Sequence, residues 1–287
     1  MNNRVYRVET DSRPYIFKIY SSRDWPEDGK TLFVSKKLSE HSIPHANILV
    51  FDREDRRFPG GYLIEECLPG TTADRLTLSA NEMVALFQKL AALVSRIHRI
   101  KLTNYGYTGD GKAAGWETFS EYMADSLDDH ASPLLRLIDA NELEAVRQEI
   151  HQRLKVCDGF PSVLCHGDLS TKNILVDSDQ ITLIDWDDVQ SLCWMADISR
   201  LTVWMRMQYG EDAAMTYRKG FLDSYEAEYG MDVFYETENL LHVWHGLGFL
   251  GFFIGKGIGK GKPEYEAVKA VLQSSFAKCG MEMPQCL

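Results

Sequence analysis

Residues 164–188, LCHGDLSTKNILVDSDQITLIDWDD, carry six carboxylates in twenty-five positions beside two apolar runs. Carboxylates that lie close together repel one another, so such a cluster indicates either a bound cation or a solvated turn. NILVD and ITLID flank the polar tripeptide SDQ, a pattern typical of two strands joined by a tight turn. Asn173 and Asp185 stand at nearly equal distances from the middle of this predicted hairpin, which would bring them to the same end of it.

The polar residues at that end have the chemistry of phosphoryl transfer. Oxygen ligands from Asn173 and Asp185 would suit Mg²⁺, which binds oxygen at ~2.1 Å and prefers one or two protein groups together with phosphates. Asp168 lies five residues before Asn173, and it can project into the same space without binding the metal. In phosphoryl transfer the metal neutralises charge on the phosphates, while a carboxylate orients the acceptor hydroxyl and takes its proton.

A structural alternative is an Asx-rich turn, in which these side chains only form hydrogen bonds with nearby main-chain groups. A single Asp in this stretch would favour that alternative. The combination of Asp-x-x-x-x-Asn with a hairpin that returns to an Asp after an apolar run favours the catalytic interpretation.

HGDLSTKN followed by LIDWDD resembles the aminoglycoside phosphotransferase and choline kinase family, which are small-molecule kinases of protein-kinase-like fold. His-Gly-Asp stands where protein kinases have His-Arg-Asp, and Ile-Asp-Trp stands where they have Asp-Phe-Gly. The resemblance implies that Asp168 is the catalytic base and that Asn173 and Asp185 bind metal. It also implies His166 as a structural support of the loop and Asp197, in ADISRL, as a brace of the same loop.

The resemblance covers residues 3–205 and includes a nucleotide-binding lobe. RVYRVETDSRPYIFKIY is similar to the hairpin over the nucleotide and the strand with the phosphate-binding lysine, here Lys18. Burying a lysine side chain between Phe17 and Ile19 would cost folding free energy unless the ammonium has an acidic partner or a ligand. The alternative role for such a lysine is to protect a strand edge against aggregation.

GYLIEECLPG is similar to the hinge strand of the same family. The main chain of Glu66, Cys67 and Leu68 would then hold adenine or guanine. The first candidate for the acidic partner of Lys18 is Glu27, and the alternatives are Asp28 and Glu40. Because the chain begins almost on the hairpin, we expect most of the loop over the phosphates to be missing.

The elements around these motifs predict an α+β, protein-kinase-like bilobal fold. VYRVET and YIFKIY predict a hairpin, ANILVFD and GYLIEE predict two more strands, and residues 30–38 predict a short helix. SANEMVALFQKLAALVSRIH begins with a Ser-x-x-Glu capping box and continues with one apolar helical face, and ELEAVRQEIHQRL has the same period. The sequence therefore predicts a small antiparallel-sheet lobe at 1–68 and a larger helical lobe at 69–287.

The net charge of −11 argues against nucleic acid and anionic membranes as partners. Residues 1–78 hold twelve acidic and twelve basic side chains, so all excess acid lies downstream. The excess acid either keeps the protein soluble or serves to bind a cationic ligand in the second half of the chain. The polar start, the interrupted apolar stretch LLHVWHGLGFLGFFIG and six cysteines without a CxxC pair predict a soluble cytoplasmic protein with reduced thiols.

Two sequence motifs and the short phosphate loop raise alternatives to this function. GLGFLG at 246–251 satisfies G-x-G-x-x-G, but no strand precedes it, so we expect close helix packing instead. ITLIDWDDV also fits the nucleophile motif of haloacid-dehalogenase-type phosphatases, in which Asp185 would attack phosphorus and Asp187 would protonate the leaving group. That alternative leaves Lys18 without a role. The truncated phosphate loop permits a third alternative, a catalytically silent nucleotide-binding pseudokinase.

The acceptor of the phosphoryl group is expected to bind to the helical lobe, where carboxylates would attract a polyamine sugar and aromatic faces a quaternary ammonium. The acidic candidates are DSLDDH at 125–130, Asp187, Asp188, Asp223, Glu226 and Glu228. The aromatic candidates, most of which we expect to pack between helices, are Trp116, Trp194, Trp204, Tyr209 and Trp244.

The sequence thus predicts a kinase that uses Mg²⁺ to transfer the γ-phosphoryl group of ATP or GTP to a hydroxyl of a small cationic acceptor. Lys18 would hold the phosphates, and Asp187 and Asp188 would contact the acceptor. An aminoglycoside-like acceptor is the first candidate, and choline, ethanolamine, a sugar or homoserine are the alternatives. We expect a monomer or a homodimer.

Overall fold

The computed structural model describes residues 3–27, 29–108 and 115–287, without the side chains of 129–131. The chain divides into two compact units. The first comprises the described residues of Met1–Leu78, Tyr107–Ala114 and His166–Gln190, and the second those of Ser79–Gly106, Gly115–Cys165 and Ser191–Leu287. This division differs from the predicted lobe boundary after residue 68, because the segment with the predicted catalytic loop groups with the first unit.

The elements follow one another in a clear order, with short strands early and long helices late. The strands are β1 (Arg4–Val8), β2 (Tyr15–Ile19), β3 (Ile48–Asp52), β4 (Tyr62–Glu66), β5 (Thr71–Thr72), β6 (Gly106–Tyr107), β7 (Val163–Cys165), β8 (Ile174–Asp177), β9 (Gln180–Leu183) and β10 (Gln190–Leu192). The helices are α1 (Lys30–Glu40), α2 (Ala80–Ile97), α3 (Phe119–Asp125), α4 (Asp128–Leu134), α5 (Ala140–Leu154), α6 (Trp194–Tyr209), α7 (Glu211–Leu222), α8 (Met231–Gly255) and α9 (Pro263–Cys279).

A four-stranded antiparallel sheet begins the first unit, in the order β1-β2-β4-β3. Helix α1 follows β2 in the chain and buries Val34 and Leu38. Leu63 on β4 and Ile43 are buried as well, which gives this part of the chain an aliphatic core. The predicted hairpin, the short helix and the two strands after it are therefore confirmed.

The predicted catalytic hairpin belongs to a second sheet of the first unit, in the order β5-β8-β9. Ile174 pairs with Leu183, and Asp177 pairs with Gln180, so the turn between the strands has two residues. The main-chain nitrogen of Ile184 donates to the carbonyl of Asn173 at 3.0 Å, which extends the ladder by one step. This register confirms the predicted hairpin and puts Asn173 and Asp185 at the same end of it.

Helices α2 to α9 form most of the second unit, together with a small sheet in the order β6-β10-β7. Ser79 and Glu82 form the predicted capping box at the start of α2. The predicted apolar face of α2 is buried, and so is that of α5. Both helix predictions are confirmed.

The GLGFLG sequence lies inside α8, where α8 packs against α9. A Cβ atom at Gly246 would lie 2.7 Å from Cδ2 of Leu272 on α9, so a side chain there would separate the two helices. Close helix packing, as predicted, accounts for this motif. No helix in the described ranges combines the length and the apolar content that crossing a bilayer requires.

Candidate active site

One cleft of the first unit brings several of the predicted site residues together. Its volume is about 50 Å³, enough for a few water molecules. Its walls come from β2, β3, β4, α1 and the segment that follows β9. Lys18, Asp185 and Asp187 line it beside aliphatic side chains, so charged groups meet in a partly apolar surrounding.

Lys18 is almost completely buried, with 6% of its surface exposed. Its Nζ lies 2.6 Å from Oδ1 of Asp185 and 2.5 Å from Oδ2 of Asp187. Burial by itself would lower the pKa of Lys18, but the charges of Asp187 and Asp185 outweigh burial and raise this pKa above its ordinary value. Lys18 is therefore an ammonium at neutral pH, and two carboxylates share it.

These contacts correct the acidic partner predicted for Lys18. Oε2 of Glu27 lies 2.7 Å from Nζ of Lys30 instead, and Glu40 pairs with lysines of its own helix. Asp28 lies outside the described residues. The α1 side chains that line the cleft are Thr31, Val34, Ser35 and Leu38. Helix α1 therefore presents no carboxylate to Lys18. The acidic partners of Lys18 are Asp185 and Asp187, in the segment after β9.

The loop before β8 is held by His166, which is fully buried. Its Nε2 lies 3.1 Å from the carbonyl oxygen of Ile184, and its Nδ1 lies 3.3 Å from the main-chain nitrogen of Asp168. Because Nδ1 accepts from the Asp168 N–H, Nε2 carries the ring proton and donates to Ile184. One imidazole thus connects the loop of Asp168 to the residue that precedes Asp185.

Asn173 fixes the position of the Asp168 side chain. Its Nδ2 donates to both the carbonyl oxygen and the carboxylate Oδ2 of Asp168, each at 2.9 Å. Asn173 is 7% exposed, so these bonds are shielded from water and hold the carboxylate firmly. They leave Oδ1 of Asn173, the amide atom that can bind a metal, without a hydrogen bond to any described residue.

Two unusual backbone conformations bring the loop and the turn after β9 together. Gly167 has φ of 79°, and a Cβ atom there would lie 2.0 Å from the carbonyl oxygen of Asp188. Asp185 has φ of 62° and ψ of 68°, a left-handed conformation that is uncommon for non-glycine residues and is often found at functional sites. The glycine of His-Gly-Asp is therefore required for the close approach of the two segments.

The cleft holds more carboxyl groups than Lys18 can balance. Glu65 on β4 also lines it. Burial raises the pKa of Glu65 to about 7; Lys18 opposes this, and the charges of Asp185 and Asp187 add to it. Burial raises the pKa of Asp187 as well. A divalent cation fits this surplus of negative charge, and the oxygens of Asn173 and Asp185 are the hard ligands that Mg²⁺ prefers.

The structure places the remaining predicted residues as follows. Asp187, predicted to contact the acceptor, lies against Lys18, while Asp188 lies next to it in the same turn and stays a candidate for that contact. The segment 66–68, predicted to hold the purine, follows Glu65 but does not line the cleft. Asp197 lies in the second unit with Oδ2 at 3.1 Å from Nε2 of His98; its predicted bracing of the loop stays a prediction.

The sequence analysis missed three polar side chains of this region. Nδ2 of Asn3 donates to Oδ2 of Asp187 at 2.9 Å. Lys30 is fully buried, and its Nζ lies 4.0 Å from the ring centroid of Trp25 and 3.3 Å from the carbonyl oxygen of Asp187. Glu65 had a visible signal, a charged residue within the apolar strand sequence GYLIEE. Asn3 and Lys30 had none, because their contacts depend on the tertiary fold.

The model of the phosphotransferase enzyme family, APH, matches residues 1–236. The chain belongs to this family. It is therefore a phosphotransferase, which rules out the phosphatase alternative with Asp185 as nucleophile. A search of curated proteins found no match.

Solved structures of small-molecule kinases share the fold of this family member. A thermostable mutant of aminoglycoside phosphotransferase APH(4)-Ia, in ternary complex with ADP and hygromycin B, has a TM-score of 0.70 at 15% identity, covering 98% of this chain and 92% of that one. Choline kinase LicA from Streptococcus pneumoniae has a TM-score of 0.65 at 16% identity, covering 95% of this chain and 89% of that one. Amicoumacin kinase hAmiN, in complex with AMP-PNP, Ca²⁺ and Ami, has a TM-score of 0.66 at 18% identity, covering 96% of this chain and 86% of that one. The predicted protein-kinase-like α+β fold is confirmed.

We expect Gly167→Ala to weaken Mg²⁺-dependent nucleotide binding by about 10-fold or more and to lower the melting temperature. The added Cβ forces the loop away from Asp188, and a positive φ costs a non-glycine residue about 1–2 kcal/mol. Calorimetric titration with a non-hydrolysable nucleotide and a thermal scan measure both effects. Gly159→Ala is the matched control, since no atom lies within 4 Å of its Cβ position. Wild-type binding and stability in Gly167→Ala would contradict the packing described above.

We expect Glu65→Gln to stabilise the ligand-free protein, and more so as the pH rises. The pKa of Glu65 is raised from 4.5 to about 7 on folding, so its ionisation destabilises the folded state as the pH increases through this interval. The other charged groups at the cleft, Lys18, Asp185, Asp187 and His45, are unchanged by the substitution.

The difference in unfolding free energy between Glu65→Gln and wild type should be small near pH 5 and on the order of 2 kcal/mol near pH 8. Urea unfolding at both pH values measures it. Glu54→Gln, which removes an exposed carboxylate paired with Arg23, should give the same small difference at each pH. A Glu65→Gln effect that does not depend on pH would show that the raised pKa is wrong.

Proposed function

We propose that this phosphotransferase is a Mg²⁺-dependent kinase that transfers the γ-phosphoryl group of ATP or GTP to a hydroxyl of a small cationic acceptor, with an aminoglycoside-like compound as the first candidate. The observation that carries the proposal is the meeting of Asp168, Asn173 and Asp185 at one end of the β8–β9 hairpin, next to the buried Lys18. The residues proposed as base, metal ligands and phosphate-binding cation thus lie in one region.

Asp168 is the residue that would accept the proton of the acceptor hydroxyl. The two bonds from Asn173 hold its side chain, and His166 holds its main chain. A carboxylate that is fixed before the substrate arrives needs little reorganisation in the transition state, which favours general-base catalysis. Asp168 is partly exposed, so a hydroxyl can reach it.

Lys18, Asn173 and Asp185 would bind the nucleotide and its metal. Asn173, through Oδ1, and the carboxylate of Asp185 would hold Mg²⁺, which would neutralise charge on the phosphates. Lys18 would donate hydrogen bonds to phosphate oxygens, as a lysine ammonium commonly does. Predicted main-chain contacts of the purine with residues 66–68 complete this arrangement.

Support for a cationic acceptor comes from the charge of the chain, since residues after 78 hold all of the net charge of −11. Several candidates from the sequence are already paired within the second unit. Asp223 pairs with Lys219, Glu226 with Arg99 and Glu228 with Lys101. Asp125 is exposed and also has a basic partner, Arg147 at 3.6 Å, but in addition it accepts from Nε1 of Trp116 at 3.1 Å. Because it combines a long ion pair with an aromatic neighbour, we name Asp125 as the acidic candidate of this unit.

A choline-like acceptor is the second candidate, and an aromatic cluster supports it. The ring of Trp116 lies 5.2 Å from that of Tyr122, which lies 6.5 Å from that of Trp244. Aromatic faces beside a carboxylate suit a quaternary ammonium through cation–π contacts. Tyr122 is itself buried, so Trp116 and Trp244 offer the accessible faces. Trp194 is buried between Tyr225 and Phe234, which likewise indicates packing rather than ligand binding.

We expect Asp168→Ala to lower acceptor phosphorylation by about 10²–10⁴-fold, the usual contribution of a general base, while the affinity for Mg²⁺-nucleotide stays within about threefold. The measurement is ADP and GDP release with a panel of aminoglycosides, choline, ethanolamine, sugars and homoserine. Asp177→Ala, at the opposite end of the hairpin, is the matched control and should keep full activity. Turnover by Asp168→Ala at the wild-type rate would exclude Asp168 as the base.

We expect Asp185→Ala to abolish the Mg²⁺ dependence of nucleotide binding, since it removes one of two proposed metal ligands. Titrations with AMP-PNP and GMP-PNP in the presence of Mg²⁺ or EDTA measure this dependence. Wild type should bind at least about 10-fold more tightly with Mg²⁺, and the variant should show no such difference. An unchanged Mg²⁺ effect in Asp185→Ala would exclude Asp185 as a ligand.

A further inference from the structure

Glu65 is a carboxyl group of the cleft with no partner in the ligand-free protein. Among the described residues it forms no hydrogen bond and no ion pair, although it is only partly exposed. Aliphatic side chains of Val34, Leu38 and Ile48 line the same cleft. A carboxyl group in such a surrounding costs folding free energy, so its presence calls for a role in a ligand-bound state.

The register of the sheet relates Glu65 directly to Lys18. Ile16 pairs with Glu65, and Lys18 pairs with Leu63. Residues two apart on one strand, and residues directly opposite on its neighbour, share a face of the sheet. Lys18 and Glu65 are therefore diagonal neighbours on one face, at about 7–8 Å, a distance that long side chains can bridge.

Lys18 and a metal ion compete for the same carboxylate. In the ligand-free protein Oδ1 of Asp185 lies 2.6 Å from Nζ of Lys18, and Asp185 is also the proposed ligand of Mg²⁺. Two cations on one carboxylate repel each other, so metal binding would weaken the contact of Lys18 with Asp185. Asp187 remains, but it also accepts from Asn3, and α1 presents no carboxylate to the cleft.

We propose that Glu65 is the positioning residue that pairs with Lys18 when metal and nucleotide bind, and that it holds the ammonium where it can contact the phosphates. This inference rests on the function proposed above. Lys18 thereby has two positions, one on Asp185 and Asp187 without ligand and one between Glu65 and phosphate with ligand. Glu65 does not touch the substrate and acts through Lys18 alone.

Glu65→Gln tests the proposal, because glutamine has the same size without the charge. Titrations use AMP-PNP or GMP-PNP, whichever wild type binds more tightly, over a series of Mg²⁺ concentrations, and the matching nucleoside alone. The variant should bind the triphosphate analogue about 10-fold more weakly and need about 5-fold more Mg²⁺ for half-maximal binding, since Lys18 stays on Asp185. Its affinity for the nucleoside should be unchanged.

Two further variants complete the experiment. Glu65→Asp keeps the charge and should recover the Mg²⁺ requirement to within about threefold of wild type. Glu54 lies in the first unit just after β3, where it is exposed and paired with Arg23. Glu54→Gln should match wild type in every titration. Because we expect Glu65→Gln to be more stable than wild type at neutral and higher pH, unfolding cannot explain its loss of affinity.

The possible outcomes separate the inference from the proposed function. Tight Mg²⁺-nucleotide binding by wild type together with unchanged binding and Mg²⁺ dependence in Glu65→Gln would overturn the inference alone. An equal loss for nucleoside and triphosphate analogue would also overturn it, since Glu65 would then contact the base. Absence of nucleotide binding in wild type would overturn the proposed function and the inference together.

Discussion

The electrostatics of the site depend on the buried ammonium of Lys18, which lies among more carboxyl groups than its single charge can neutralise. Lys18 contacts Asp185 and Asp187, and Glu65 stands one diagonal step away on the same sheet face. Burial, with the charges of neighbouring carboxylates added, raises the pKa of Glu65 and that of Asp187, so ionising both groups costs free energy in this cleft. The proposed divalent cation would relieve that cost, and its binding free energy would add to the stability of the folded protein. Under the proposed function, cation binding and the stability of the first unit are therefore linked.

The local elements of the site were predictable because each has a short-range cause. The β8–β9 hairpin follows from two apolar runs around SDQ, and its two-residue turn fixes the register that brings Asn173 to Asp185. The start of α2 follows from the capping box at Ser79. In each case a few adjacent residues decide the backbone conformation, and tertiary contacts only reinforce it. Gly167 differs, because its need for glycine comes from one close contact with Asp188, twenty-one residues away, which the sequence alone does not show.

The partners of Lys18 were not predictable, because they depend on which segments the tertiary fold brings to the cleft. Glu27 was a reasonable candidate by position, but the burial of Lys30 draws it away. Asp187 was assigned to the acceptor as one of the excess acidic residues after residue 78, and in the structure its carboxylate contacts Lys18. Charge and sequence distance alone do not distinguish these alternatives. The lobe boundary after residue 68 was placed by a Pro-Gly sequence, which reports local chain reversal and not long-range contact.

Under the proposed function, reaction type and acceptor choice would depend on different parts of the chain. The groups proposed for phosphoryl transfer lie in the first unit and are a few side chains at fixed spacing. The candidate acceptor residues Trp116 and Asp125 lie in the second unit, where several carboxylates named as candidates from the sequence have basic partners. A carboxylate that is paired contributes little attraction to a ligand, because the ligand would have to displace its partner. Under the proposed function, a cationic acceptor would compete with Arg147 for Asp125, and the long 3.6 Å separation of that pair makes the competition less costly there than at the shorter pairs of Asp223 and Glu226.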